Sequence, residues 1–337
     1  MLGFGTGDNA GLMVSAPLAE QRRAVDVAID AGVNYFDTSP DYGRGRAEEN
    51  LGRALKGRRS SVIVTSKVEI MPADRHRIAK RVVDSVEASL RRLQMDYLDI
   101  VEIHNHPGRA HEWERTTWTP LLEEDFTAEG GAFEGLARVL KDGKVRLGGI
   151  ACEEADPVIV SRLVANPLVS VLNVWLNMLN PSSLLDNDGA TVNGPADYRG
   201  IATAAKKNGA GIAGFRAMGG GALMSAAART FERHPYAGGG FTRNPAQYRR
   251  EVELAQKLVT RLEIGSTAEM AALAYRFNIT DPRITTTVAG FSELSHLQGA
   301  LDAVAKGPLE SDKMAEIIQI WNELFLTDAN DKGQRKS

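Results

Sequence analysis

The stretch Asn34-Tyr-Phe-Asp-Thr-Ser-Pro-Asp-Tyr42 is an apolar strand that ends abruptly in acidic, prolyl and phenolic residues. Two further apolar runs end in the same way, Ser61 to Lys67 on a lysine and Tyr97 to His104 on a histidine. Burying an ionisable group carries a desolvation penalty, so its recurrence at strand ends indicates a chemical role. If the three strands lie parallel and side by side, these side chains converge on one rim. They are Asp37, Tyr42, Lys67 and His104.

The rest of the chain repeats this alternation of strand and helix. Helical apolar spacing follows the strands, as in the run from Arg77 to Leu93. Eight parallel strands that alternate with helices favour an α/β fold of the closed (β/α)8 TIM barrel type over an open doubly wound sheet. We predict one barrel domain over residues 1–326 and a polar tail over residues 327–337. The predicted strands lie near Leu2, Val33, Val62, Leu98, Val145, Val169, Ile212 and Thr285.

Three predicted connections are longer than the loops usual inside a barrel: residues 105–132, 181–199 and 225–245. Loops of this length are usually functional or disordered. Each follows the C-terminal end of a strand, at the rim where barrel active sites lie, so we assign them to enclosing a substrate. Their aromatic side chains could line a pocket or simply pack the loops onto the barrel. The candidates for substrate binding are Trp113, Trp118 and Phe241.

The amino-acid composition indicates which classes of molecule the protein binds. Hydrophobic content of 43% and charged content of 25% are ordinary for a globular protein, and a net charge of -3 gives no electrostatic reason to expect nucleic acid or an anionic membrane. The single cysteine, Cys152, excludes an internal disulfide and fits a reducing compartment. No segment resembles an export signal, and no apolar run approaches the roughly 18 residues of a membrane span. We therefore predict a cytoplasmic protein that acts on a small molecule.

The polar strand ends also carry a resemblance to a known family. The segments from Asn34 to Gly43, from Glu48 to Gly52, from Thr65 to Lys67 and from Ser85 to His104 resemble the aldo-keto reductase superfamily. The likeness extends over nearly the whole chain, and it is specific because four residue types recur at three strand ends in the family's order. The long aromatic loop after His104 is similar to the bacterial aldose (sugar) dehydrogenase branch of that superfamily.

The resemblance implies NAD(P)-dependent interconversion of an alcohol and a carbonyl group in an aldehyde, a ketone or a sugar lactol. Tyr42 would give its phenolic proton to the carbonyl oxygen. Free tyrosine titrates near ~10, so this transfer needs help at neutral pH. An ammonium at Lys67, held by Asp37, would favour the phenolate, and His104 would orient the substrate oxygen. The expected substrate is a sugar, a lactol or another bulky carbonyl or alcohol.

Other interpretations of these residues stay open. Each of the four could have a purely structural role, such as a buried ion pair or a core histidine. Lys67 could instead be the Schiff-base lysine of a lyase. The segment His104-Asn-His106, with His111, could bind a metal, although no carboxylate or thiolate motif accompanies it. The chain could also be a barrel that senses a nucleotide or serves as an accessory subunit.

The predicted phosphate end of the cofactor site draws on two segments. Gly219-Gly-Gly221 follows the seventh strand and Gly290-Phe-Ser292 precedes the next-to-last helix, and both offer backbone N–H groups where a barrel binds phosphate. Arg216 could add a cation, and His296 is a further candidate ligand. The glycines could equally be turn residues.

At the nicotinamide end, the resemblance implies further contacts. The family's Ser-Asn pair after strand five matches Ala151 and Cys152, its Gln on strand six matches Asn173, and its stacking aromatic matches Phe215. Toward the adenine, residues 289–300 contain no Lys or Arg that could pair with a 2′-phosphate. Family habit favours NADP(H), whereas this local absence favours NAD(H), so both cofactors stay open.

Overall fold

A computed structural model describes residues 1–114, 119–186, 191–192, 196–229 and 245–327. Within them, eight parallel strands close into a barrel: β1 (Leu2–Gly5), β2 (Tyr35–Asp37), β3 (Ile63–Val68), β4 (Leu98–Ile103), β5 (Val145–Ala151), β6 (Val171–Trp175), β7 (Gly211–Phe215) and β8 (Thr286–Gly290). Each strand pairs with the next, and β1 pairs with β8 to complete the circle. The predicted (β/α)8 TIM barrel is therefore confirmed.

Helices surround the barrel: α1 (Leu12–Ser15), α2 (Leu18–Asp30), α3 (Arg46–Ala54), α4 (Ile78–Leu93), α5 (Glu123–Thr127), α6 (Ala132–Lys141), α7 (Pro157–Leu163), α8 (Ile201–Lys207), α9 (Ala222–Ala228), α10 (Pro245–Arg261), α11 (Thr267–Asn278), α12 (Leu294–Ala305) and α13 (Ser311–Phe325). The predicted helix from Arg77 to Leu93 is confirmed as α4. Two predicted loops contain helix, since α5 lies inside residues 105–132 and α9 runs into residues 225–245. The Ala-rich sequence of α9 has high helix propensity, which explains the second difference.

The described residues form two separate apolar cores. The larger one lies between the strands and the helices and includes the inward face of α4 with Ile78, Val82 and Val86. The smaller one lies inside the barrel and consists of Tyr35, Ile100, Ala213 and Val288, with Val171 and Phe215 packed against it.

The layer of side chains above this small core is polar. Side chains alternate between the two faces of a strand, so the residues two positions further on also point into the barrel. Counting two positions from Tyr35, Ile100 and Val171 gives Asp37, Glu102 and Asn173, all of them buried. The apolar packing of the barrel therefore stops one layer below its C-terminal rim.

The loop after β4 is anchored at its base by one amide side chain. Asn105, which is fully buried, accepts a hydrogen bond from the Ile70 N–H (2.7 Å) and donates to the carbonyl oxygens of Ile70 (2.9 Å) and Thr119 (3.0 Å). The Leu121 N–H donates to the His106 carbonyl oxygen over 3.0 Å. The departing and returning ends of this loop are thus joined to each other and to the end of β3.

The C-terminal region adds a small second sheet. Leu326–Thr327 pairs antiparallel with Thr191–Val192. Residues 328–337 lie outside the described residues, so the predicted tail and the domain boundary at residue 326 stay predictions. Among the described residues, no helix is both long and apolar enough to span a membrane. The cytoplasmic location also stays a prediction.

Candidate active site

An ion pair between two neighbouring strands forms the centre of the site. Lys67 Nζ donates to Asp37 Oδ2 over 2.6 Å and to the Thr38 carbonyl oxygen over 3.0 Å. Both charged residues are buried. Burial lowers the pKa of Lys67, but the attraction of Asp37 and smaller contributions from Tyr42 and Glu102 outweigh it, so this pKa stands above its ordinary value. Lys67 is therefore a cation at neutral pH.

Tyr42 lies against this cation. Lys67 Nζ is 5.3 Å from the centre of the Tyr42 ring, and the His104 ring meets it edge-on, with centroids 6.3 Å apart and planes at 80°. Burial raises the pKa of Tyr42; Lys67 lowers it, while Asp37 and Glu153 raise it, and the net shift is upward. The phenol is therefore protonated at neutral pH. Lys67 lowers the pKa of Tyr42, as predicted, but burial raises this pKa by more.

A tight turn between β2 and α3 positions Tyr42. The Tyr42 N–H donates to the Ser39 carbonyl oxygen over 3.2 Å, and the Tyr42 carbonyl oxygen accepts from the Ala47 N–H over the same distance. Gly43, the next residue, has φ 60°, and a Cβ there would lie 2.6 Å from Val14 Cγ1. Only glycine combines that backbone conformation with that spacing, so Gly43 lets the chain turn immediately after the tyrosine.

His104 lies at the end of β4 beside the same turn. Its Nδ1 is 3.4 Å from Ser39 Oγ and 3.5 Å from Asp41 Oδ2. Burial lowers the pKa of His104; the Asp41 carboxylate raises it and Lys67 lowers it, and the net shift is downward. The imidazole is therefore neutral at neutral pH and is oriented through Nδ1. The structure thus brings together Asp37, Tyr42, Lys67 and His104, as expected from their strand-end positions.

Sequence reasoning missed a further buried carboxylate in the barrel, Glu102. Glu102 is fully buried, and its Oε2 accepts from Asn173 Nδ2 over 3.2 Å. The same Asn173 nitrogen is 3.5 Å from Asp37 Oδ2. The signal was available, because Glu102 precedes His104 by two positions and so shares its inward face.

Gly149 on β5 leaves room for Glu102. A Cβ at this position would lie 2.6 Å from the Val171 carbonyl oxygen and 3.1 Å from Glu102 Cγ. We expect Gly149→Ala to lower the free energy of unfolding by about 1–3 kcal/mol, because the methyl group overpacks the barrel. Urea unfolding measures the change. Gly299→Ala is the matched control: nothing lies within 4 Å of a Cβ there, and alanine favours α12, so equal losses in both variants would contradict this explanation.

Two predicted cofactor residues at the nicotinamide end lie on the barrel rim. Ala151 ends β5 and pairs with Asn173 on β6. The Asn173 Oδ1 atom is buried and has no hydrogen-bond partner among the described residues. Cys152 follows β5 but packs into the larger apolar core, with its thiol 3.7 Å from the Ile150 carbonyl oxygen. Its side chain is therefore part of the packing, and a cofactor role for Cys152 remains a prediction.

Phe215 ends β7 beside an indole that sequence reasoning did not single out. The rings of Phe215 and Trp175 have centroids 6.5 Å apart. Trp175 is 5% exposed, and its indole N–H finds no hydrogen-bond partner within the described residues. An aromatic surface next to this donor and the Asn173 acceptor fits an aromatic ring that bears a carboxamide, such as nicotinamide.

Arg216 already has carboxylate neighbours. Its guanidinium lies 3.8 Å from the Trp175 ring centre, and its nitrogens are 3.5 Å from Glu153 and 3.8 Å from Glu251. Arg216 also has φ 67°. A Cβ on Gly220 would lie 2.5 Å from Arg216 Nη2, so this glycine makes space for the guanidinium. The predicted pairing of Arg216 with a pyrophosphate would have to compete with these two carboxylates.

The predicted phosphate segments lie at strand ends. Gly219 and Gly221 bound a 3-10 turn between β7 and α9, with φ values of 58° and 99°. Gly290 ends β8, and the buried Ser292 follows it. His296 lies on α12 with half of its side chain exposed, 3.7 Å from Glu293. Backbone-rich strand ends fit a phosphate, so the residues present are compatible with a dinucleotide.

The aromatic loop residues are only partly described. Trp113 is half-buried, packs against the larger core and stacks on His111 with centroids 4.6 Å apart. This contact supports a packing role for Trp113, and a role in substrate binding stays a prediction. Trp118 and Phe241 lie outside the described residues.

The histidines considered for a metal site do not form one among the described residues. No group of three or more His, Cys, Asp or Glu side chains there is placed to hold a metal ion. His111 Nε2 is instead 2.5 Å from Asp125 Oδ2.

Comparison with known proteins agrees with this geometry. The sequence model of the Aldo/keto reductase family matches residues 1–322. The chain belongs to this family. Its members generally catalyse NAD(P)-dependent carbonyl reduction and use NAD(P)H as cofactor. The holo form of an aldo-keto reductase from Bacillus halodurans has the same fold, with a TM-score of 0.65 at 20% identity over 95% of this chain and 91% of that one.

Curated relatives are similar over shorter regions. A probable voltage-gated potassium channel subunit beta from Oryza sativa subsp. japonica is 30% identical over 53% of this chain and 60% of its own length. Aldo-keto reductase YhdN from Bacillus subtilis (strain 168) is 33% identical over 42% and 39%, respectively. L-galactose dehydrogenase from Arabidopsis thaliana is 31% identical over 53% and 58%. The chain thus spans about half the length of the curated relatives it matches.

Proposed function

We propose that this protein interconverts a carbonyl group and an alcohol with NAD(P)(H), using Tyr42 as the general acid and base. The observation that carries the proposal is the buried Lys67–Asp37 pair at 2.6 Å, with Lys67 Nζ 5.3 Å from the Tyr42 ring centre. His104 lies edge-on to the same ring. An ion pair kept only for stability has no need of a phenol and an imidazole beside it.

Each side chain has a separate task in carbonyl reduction. NAD(P)H, when bound, supplies a hydride to the carbonyl carbon. Tyr42 donates its proton to the carbonyl oxygen, and the Lys67 ammonium stabilises the phenolate that is left. Asp37 holds Lys67 in place, and neutral His104 hydrogen-bonds to the carbonyl oxygen. In alcohol oxidation, Tyr42 takes the hydroxyl proton.

We further propose that the substrate is a sugar lactol or another bulky carbonyl compound. The support is the long loop after β4 and the likeness to L-galactose dehydrogenase. A panel of aldoses, ketones and aldehydes assayed in both directions tests this choice. Turnover confined to small, unbranched aldehydes would contradict it.

We expect NADH to bind more tightly than NADPH. The described surface from Ala289 to Ala300 carries no Lys or Arg that could pair with the 2′-phosphate of NADPH. Quenching of tryptophan fluorescence on titration with each cofactor measures both affinities, because the buried Trp175 ring lies 6.5 Å from Phe215. Trp175→Phe is the control and should lose most of the quenching while the protein stays folded. Tighter binding of NADPH would contradict the predicted preference.

A second candidate function is that of an accessory subunit, supported by the likeness to the probable potassium channel subunit beta. Such a protein would bind a cofactor without turning over substrate. Saturable cofactor binding with no turnover across the panel would favour it.

A Schiff-base lyase receives less support. Schiff-base formation needs a neutral amine, whereas Asp37 keeps Lys67 protonated and raises its pKa. Borohydride trapping of a carbonyl compound on Lys67 would reverse this preference.

A further inference from the structure

Glu102 is in direct register with the catalytic lysine. The Cα atoms of Lys67 and Glu102 are partners in the pairing of β3 with β4, and Glu102 is in turn the partner of Gly149 on β5. Lys67 and Glu102 both point into the barrel, where Glu102 is fully buried. The second carboxylate therefore lies on the strand next to Lys67, on the side away from Asp37.

The two carboxylates are unequally compensated. Asp37 accepts the Lys67 ammonium at 2.6 Å, whereas the hydrogen bond that reaches Glu102 Oε2 comes from the neutral Asn173 amide at 3.2 Å. Glu102 Oε1 is buried with no hydrogen-bond partner in the described part of the chain. A buried carboxylate with so little compensation favours the neutral, protonated form.

The net effect of the surrounding groups on the pKa of Glu102 has the same direction, although Lys67 opposes it. Burial raises the pKa of Glu102 to about 7; Lys67 lowers it and Asp37 raises it. The other titratable groups that face Glu102 are the Tyr35 phenol and the Cys152 thiol, and the negative charge of Glu102 raises the pKa of each. No second cation faces Glu102 from the described strands of the barrel.

We propose that Glu102 is a positioning residue for the Lys67–Tyr42 pair: it exchanges a proton with the solvent, and its negative charge, when it is ionised, weakens the action of Lys67 on Tyr42. When Glu102 is neutral, the Lys67 ammonium faces one carboxylate and stabilises the Tyr42 phenolate strongly. When Glu102 is ionised, the same ammonium is shared between two carboxylates, and Tyr42 becomes a weaker acid. The part that concerns Tyr42 rests on the proposed function.

The first test follows the proton through protein stability, without cofactor or substrate. Because the pKa of Glu102 is higher in the folded than in the unfolded chain, folding binds a proton between about pH 4.3 and about pH 7. The contribution of Glu102 to the free energy of unfolding is fully present below that pH range. It is lost as the pH rises through the range. The glutamine in Glu102→Gln cannot ionise. The ratio of its folding constant to that of the parent should therefore rise between about pH 5 and about pH 8. The rise should be roughly tenfold for each pH unit by which the pKa of Glu102 is higher in the folded chain than in the unfolded chain.

The second test follows the reaction. We expect kcat for aldehyde reduction by the parent protein to fall as the pH rises, with an inflection near pH 7. The pH profile of Glu102→Gln should lack this inflection. The ratio of kcat for Glu102→Gln to kcat for the parent should therefore increase several-fold across this range. Glu102→Asp keeps an ionisable group and should restore the inflection.

Asp99→Asn is the matched control, because it removes a carboxylate from the same strand. Asp99 is three positions before Glu102, so its side chain lies on the face of β4 that points away from the barrel interior. It is paired with Arg59 at 2.7 Å and with Arg146 at 2.9 Å. This variant should keep the parent's inflection. Equal pH dependence of folding stability in the parent and Glu102→Gln would overturn the proposal. If the parent protein showed no turnover, the proposed function would be wrong. The stability measurement alone would then show whether Glu102 takes up a proton when the chain folds.

Discussion

Replacing Tyr42 with Phe is expected to lower kcat for carbonyl reduction by about 10²–10⁴-fold, the usual contribution of a positioned general acid. The ring and its contact with His104 would remain, while the phenolic proton beside Lys67 would be lost. Cofactor affinity should change little, since the phenol lies in the turn after β2, whereas the candidate cofactor contacts lie on β5 to β8 and on the segments that follow these strands. The loss should appear in kcat and kcat/KM alike.

Steady-state kinetics together with fluorescence titration of the cofactor separate these effects. Tyr97→Phe is the matched control, because it removes a phenolic hydroxyl from a ring that lies between Arg59 (4.1 Å) and Arg146 (4.2 Å), before β4 begins. Tyr97→Phe should keep the parent's kcat. Unchanged turnover in Tyr42→Phe would exclude this residue as the essential acid.

Lys67→Met should both abolish turnover and destabilise the fold. Removing the ammonium leaves Asp37 buried without its cation, and breaking such a pair typically costs about 3–5 kcal/mol. Glu102 loses the same cation, which had lowered its pKa, so it stays protonated at neutral pH and the cost falls mainly on Asp37. Urea unfolding measures the stability loss, and initial rates at saturating cofactor measure turnover.

The double variant Lys67→Met with Asp37→Asn distinguishes the two effects of the lysine. Because it removes both charges of the pair, the double variant should regain much of the stability that Lys67→Met loses. It should regain no activity, since nothing then stabilises the Tyr42 phenolate. Full activity in the single Lys67→Met variant would remove Lys67 from the mechanism.

The positions of the strands and of the four strand-end residues could be predicted because both depend on local sequence. Apolar runs separated by helical spacing indicate parallel strands, and parallel strands bring their carboxyl ends to one rim. Asp37, Tyr42, Lys67 and His104 follow from that rule alone. Helix α9 was missed because its seven residues are too few for a clear period, although their composition favours helix.

Features that depend on neighbours in space could not be predicted. The role of Arg216 at the cofactor phosphates stays a prediction, and its two carboxylate neighbours, Glu153 and Glu251, come from distant parts of the chain. Desolvation of the half-buried Tyr42 side chain, which raises its pKa more than Lys67 lowers it, likewise depends on neighbours distant in sequence. Glu102 is an intermediate case, since strand alternation gives its direction, but only the structure shows that its hydrogen-bond donor among the described residues is the neutral Asn173 amide and that Oε1 has none.

The anchored base of the loop after β4 has a consequence for engineering. Asn105 joins residue 70 to residue 119, and residues 106 and 121 are hydrogen-bonded to each other, so the two attachment points keep a fixed separation. The stretch between these points can therefore be exchanged as a cassette, with new lengths and compositions, while Asn105 and Leu121 are retained. If the loop encloses the substrate as proposed, we expect libraries built in this way to change substrate preference while the positions of Tyr42, Lys67 and His104 are kept.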